Sequence, residues 1–225
     1  MNVLRTPVFR NICRTEVIIT FLMLLVPVSS LVIQFGLGMD LIAIMPVGAV
    51  LTSLRMLMIF SLANHLSEAA AASAHFYHAK NWFLMQSVTE AFSLLLHVFM
   101  VILNRQPMLH LPQRYLVIFF SLIYLLLLQL FDYFAKHQLM KGFGAVWQMC
   151  GGDDTLGRQM RLTHILLIVS CVLYIPFAAS LFRNALRLSY VEAIAGSSVF
   201  IILVVQIRLV LHARRTAALL AALSE

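Results

Sequence analysis

The side chains best placed for chemistry sit in the third long apolar stretch of the chain. Gln86, Glu90, Ser93 and His97 recur at intervals of four, three and four residues, and Asn104 follows seven later. On a helix this spacing keeps all five on one face, opposite a face of Phe, Leu, Val and Met. Such a stripe costs several kcal/mol to turn toward hydrocarbon, so it belongs against a bundle interior, another subunit or water. Arg55, in the preceding stretch, is the natural counter-charge. Arg55 and Glu90 each lie about eight residues in from the same end of neighbouring antiparallel helices, a depth of about 12 Å. Paired, they either fix helix register or gate a path for an ion or a polar substrate.

Glu192 falls at the level of His97 and shares a face with Ser189 and Gly196. A carboxylate and an imidazole at one depth can relay a proton or bind a cation. The polar path expected from the pattern is therefore Gln86, Glu90, Ser93, His97, Arg55 and Glu192. Ala193, Gly196 and Ser197 form a small-residue face suited to close helix packing. Gln129, Asp132 and His164 lie near a boundary, where water already hydrates them, and are set aside.

Eight histidines raise the question of a metal or haem. His65 with Glu68, and His75 with His78, have i, i+3 spacing, which makes these four the metal candidates. They lack the repeated His boxes of a di-iron site. His97 and His164 lie at different depths and do not form an axial haem pair, whereas His65, His137 and His212 cluster toward one side. No cofactor is favoured. There is no GxSxG elbow, HExxH or Walker loop, and Gly151–Gly152–Asp153–Asp154 reads as a solvated turn. The balance is against an enzyme, with a metal- or haem-binding redox protein as a remaining alternative.

The elements that must position these residues follow from composition. Of 225 residues, 62% are hydrophobic and 11% charged, against about 25% charged in an ordinary globular domain. Mean hydropathy is +0.94. The arithmetic predicts an all-α, polytopic transmembrane bundle in a single integral membrane domain, 1–225. At about 20 residues per span, six spans are expected, over 17–36, 41–62, 82–103, 115–134, 162–181 and 188–210. Inner loops are expected at 63–81 and 135–161, and a tail at 211–225. With both termini cytoplasmic, ten Lys and Arg fall inside and four outside, as the distribution of basic residues requires.

Thirteen Arg against three Lys point to a GC-rich bacterial coding sequence, and with the expected spans the location expected is a bacterial inner membrane. Cys13, Cys150 and Cys171 are scattered and predict no disulfide. The net charge of +7 is accounted for by basic loops and requires no nucleic acid. The expected partners are the lipid bilayer and a membrane-protein partner or a second copy of the chain. The function expected first is a non-catalytic integral membrane subunit of a complex. The alternative is a small proton- or ion-linked transporter or channel using the polar path.

Overall fold

The computed structural model describes residues 6–31, 41–104, 111–151, 155–180 and 188–223, with side chains mainly over 7–25, 49–92, 126–151, 157–169 and 200–223. Six helices make up these residues: α1 (Thr6–Leu31), α2 (Leu41–Ala69), α3 (Ala74–Asn104), α4 (Leu111–Met149), α5 (Thr155–Ser180) and α6 (Leu188–Ala222). Their ends have local causes. Pro7 and Pro112 stand in first turns, where a missing N–H costs nothing. Ser73 caps α3, its hydroxyl accepting from the His75 N–H at 3.3 Å. Gly151, at φ 69°, closes α4 in a conformation that a Cβ would strain, and its N–H reaches the Gln148 carbonyl.

Sequence neighbours pack on one another throughout, and α1 closes the bundle against α6, with α4 also touching α6. Each helix contributes a stripe of helical period. In α1 it is Val8, Phe9, Ile12 and Ile19; in α6 it is Val205, Leu209, Ala213 and Leu220. Between them lie Leu62, Leu66, Leu139, Phe143 and Val146. Phe76 stands edge-on to Phe9 at 5.7 Å and to Phe143 at 5.6 Å, tying α3 to α1 and α4. Such aromatic pairs are worth about 0.5–1.5 kcal/mol each beyond the area they bury. Large apolar side chains also stand outside, among them Val17, Ile18, Phe21, Val88, Phe92 and Leu95.

The helical class stands, and the membrane architecture expected from composition is corrected. Among the described residues one stretch, Ala49–Ala69 in α2, is long and apolar enough to cross a membrane by length and composition. Six spans, a multi-pass topology and cytoplasmic placement of both termini are not supported. Charged and polar residues also stand within the helices. The helices carry Arg10, Arg14 and Glu16 in α1, Lys80, Gln86 and Glu90 in α3, and Asp132 and Lys136 in α4. In α5 and α6 they carry Arg158, Arg161, Arg208, Arg214 and Arg215. A bilayer around six spans, a membrane-protein partner or homo-oligomer, and an inner-membrane location all depended on that topology, and one candidate span does not carry them. Segments expected as loops are largely helix as well: α2 runs on to Ala69, and α4 continues to Met149.

The packing around Phe76 yields a test. A Cβ on Gly142 would lie 2.7 Å from the Phe76 ring, which Phe9 and Phe143 hold in place. Gly142→Ala should lower stability by about 1–3 kcal/mol in urea denaturation. Adding Phe76→Leu, which frees volume beside the new methyl, should make the pair of changes less costly than their sum. Strict additivity would contradict this packing.

Candidate functional site

Five helices bring polar side chains to one small, partly open cavity. It is lined by Glu16 from α1, Arg55 from α2, Gln86 from α3, Asp132 and Lys136 from α4, and Gln206 from α6, with apolar walls from Ile19, Met23, Ile59 and Phe83. The space has room for about one water molecule. Four of the polar members, Glu16, Gln86, Lys136 and Gln206, sit on the core-facing stripes of their helices, and Arg55 and Asp132 are half-buried at the margin. Glu16 lies between Ile12 and Ile19, and Gln206 between Val205 and Leu209. Burial is therefore imposed on them by the packing of their apolar neighbours.

Two ion pairs organise the cluster. Arg55 forks onto Glu90: Nη2 pairs with Oε1, and Nε donates to Oε2 at 3.3 Å. Gln86, one turn before, also donates to Glu90 Oε1, at 3.2 Å. Glu90 is 1% exposed, whereas the Arg55 side chain keeps 23%. The second pair lies along α4, where Lys136 Nζ donates to Asp132 Oδ2 at 2.6 Å.

Glu16 is the remainder. It is 1% exposed, and its Oε2 accepts from Gln206 Nε2. Its Oε1 has no hydrogen-bond partner, and neither do Gln86 Oε1 and Gln206 Oε1. Three carboxylates thus meet two cations, and each cation is in an ion pair with a carboxylate other than Glu16. Burial pushes the Glu16 carboxyl up to about 7; nearby Lys136 and the Gln206 hydrogen bond pull it back, and Asp132 adds to the rise.

Of the residues expected to form a polar path, the structure brings Arg55, Gln86 and Glu90 together. Ser93, His97, Glu192, Ala193, Gly196 and Ser197 lie on helical turns whose side chains are outside the described residues. Asp132, set aside as a boundary residue, is part of the cluster. Glu16, Lys136 and Gln206 were not among the candidates. Their signal was present in the sequence as polar residues on an apolar helical stripe.

The histidines divide differently. Among the described residues no group of three or more His, Cys, Asp or Glu is placed to hold a metal ion. His65, Glu68, His75 and His78 do not converge as a site; His75 Nδ1 instead meets Gln138 Oε1 at 2.9 Å. His137 and His164 face each other across α4 and α5 with their Nδ1 atoms 2.9 Å apart. Tyr133 stacks on the first, and its hydroxyl lies 3.4 Å from Nε2 of the second. One ring must donate and the other accept, so the pair is satisfied as a hydrogen bond. Burial lowers the His137 pKa, and His164, Lys141 and His75 lower it further.

Two residues along α6 from Gln206, Arg208 Nε donates to Thr163 Oγ1 at 2.7 Å, and Nη2 to the Gln159 carbonyl at 3.0 Å. His212 Nε2 lies 3.3 Å from the same hydroxyl. Burial and then Arg208 and Arg215 push the His212 pKa down to about 4.

Removing one partner of the Arg55–Glu90 pair strands the other. Glu90→Ala should cost about 3 kcal/mol, the low end for a buried pair because Arg55 is partly solvated. The double change Arg55→Met with Glu90→Leu should recover most of that loss in the same denaturation series. A single variant as stable as the double would show that the pair carries no buried charge. Compared with protein-family models, with curated proteins and with solved structures, the chain gives no match, so its function has to be argued from this geometry.

Proposed function

We propose that the protein is a non-catalytic helical bundle that takes up and releases one positive charge, a proton or a small cation, at Glu16. The observation that carries this reading is the surplus carboxylate. Arg55–Glu90 and Lys136–Asp132 are each neutral as pairs, and Glu16 is left with an oxygen that has no hydrogen-bond partner among the groups lining a cavity of water size. An uncompensated buried anion is costly, so the site favours whatever single charge neutralises it. The packing around the cavity agrees with this use. Five helices converge on one exchangeable group, so loading or unloading it alters the balance of forces among all of them.

This reading keeps the proton- or ion-linked alternative drawn from the sequence and moves its centre from Glu90 and His97 to Glu16. A role as subunit of a larger membrane assembly loses its footing, since its partners rested on six spans. The Arg55–Glu90 pair, with Gln86, becomes the fixed wall of the site and holds α2 to α3.

The pH dependence of stability tests the reading. The folded-state pKa of Glu16 is raised from 4.5 to about 7, so the native state binds more protons than the unfolded chain between those values. Its contribution is complete below about pH 4.5 and is lost as pH rises through 7, a fall on the order of 3 kcal/mol. His212 has the opposite sign. Its pKa is lowered from 6.5 to about 4, so its contribution is present above 6.5 and is lost as pH falls toward 4. The two slopes oppose each other where they overlap. Denaturation midpoints between pH 6.5 and 8 therefore isolate Glu16. The wild type should lose stability across that interval, and Glu16→Gln should be flat. Equal slopes in the two proteins would overturn the proposal.

A further inference from the structure

The charge count and the oxygen set identify what the site can hold besides a proton. We infer that the cavity bounded by Glu16, Gln86 and Gln206 is a binding site for one alkali cation of about sodium's size. This rests on the reading that Glu16 is the exchangeable group, and names the substrate class.

Three observations on the molecule carry it. The first is the donor chemistry. Glu16 Oε1, Gln86 Oε1 and Gln206 Oε1 are buried acceptor oxygens without hydrogen-bond partners, and all three residues line the same cavity. Their residues are 1%, 5% and 2% exposed. Carboxylate and amide oxygens without nitrogen or sulfur ligands are the donor set of a hard cation. A transition metal would ask for His or Cys, and no group of three or more such ligands occurs among the described residues.

The second is charge. With both ion pairs formed, the cluster carries three negative and two positive groups, a net of one negative charge. One monovalent cation brings this to zero. A divalent ion would leave an excess positive charge beside Arg55 and Lys136, which Coulomb repulsion in a low-dielectric interior disfavours.

The third is size. Space for about one water molecule accommodates a bare sodium ion and excludes organic ammonium ions. The groups facing Glu16 from the packed elements are Asp132 and Lys136 of α4, Arg55 of α2 and Gln206 of α6. Of these, Lys136 is the competing cation. Its salt bridge to Asp132 holds its ammonium on that carboxylate and leaves Glu16 Oε1 open.

The test compares thermal unfolding of the full chain in sodium chloride and in N-methyl-D-glucamine chloride, at constant ionic strength and pH 8. Sodium should raise the Tm in a saturable way, and the organic cation should not. Glu16→Gln should abolish the sodium-specific rise. Gln86→Ala, which removes one neutral oxygen and leaves every charge in place, should weaken the apparent sodium affinity about tenfold, the loss expected for one charge-assisted contact. A wild type equally stable in the two salts would overturn the cation site, as would an undiminished sodium response in Glu16→Gln. If sodium has no effect but the pH slope assigned to Glu16 persists, the proton is the charge exchanged and only this inference falls. If that slope is also absent, the reading of Glu16 falls with it.

Discussion

The structure depends on one imbalance, three carboxylates against two cations in a largely buried cluster, with Glu16, Glu90 and Lys136 fully buried and Arg55 and Asp132 partly so. Charge buried in a protein interior must be matched, and here the matching is nearly complete. Arg55 holds Glu90 with a two-point fork, and Lys136 holds Asp132 one turn away on the same helix. Glu16 is left with a neutral amide for company. A neutral donor stabilises a carboxylate less than a guanidinium does, so this is the group whose charge state is open.

The surrounding helices make the imbalance consequential. Ile12 and Ile19 fix the face that α1 buries, and Glu16 is carried inward with them. Val205 and Leu209 do the same for Gln206 in α6, and Leu139 with Phe143 for Lys136 in α4. None of these polar residues can turn to solvent without withdrawing an apolar stripe from the core. Elsewhere in the core, Phe76 of α3 packs edge-on against Phe9 of α1 and Phe143 of α4, so three of the five helices at the cavity are also joined through aromatic contacts. A change of one charge at Glu16 is thus felt at helix contacts that have little room to adjust.

Parts of this arrangement were legible in the sequence. Equal depth from a shared turn was enough to propose Arg55 beside Glu90, because helix rise is constant and the connection between α2 and α3 is short. The helical class followed from long apolar runs. The number of membrane spans did not: among the described residues one stretch, Ala49–Ala69, is long and apolar enough to cross a membrane. Asp132 was misjudged as well. Its distance from a supposed membrane boundary was used where its i, i+4 relation to Lys136 and its place on a buried face were decisive. Glu16 and Gln206 lie 190 residues apart, and only the closure of α1 against α6 brings them into one site. That pairing is a property of tertiary packing. The periodic stripe could have flagged each residue, but not its partner.

The central claim is most directly measured by following the side-chain carboxyl carbons of 13C-glutamate-labelled protein by NMR from pH 4 to 9, with Glu16→Gln used to assign the resonance. The account predicts that Glu16 titrates with a midpoint near 7. A Glu16 resonance that titrates at the ordinary carboxylate value of 4.5 would contradict it, because the cluster would then hold a third charge without cost.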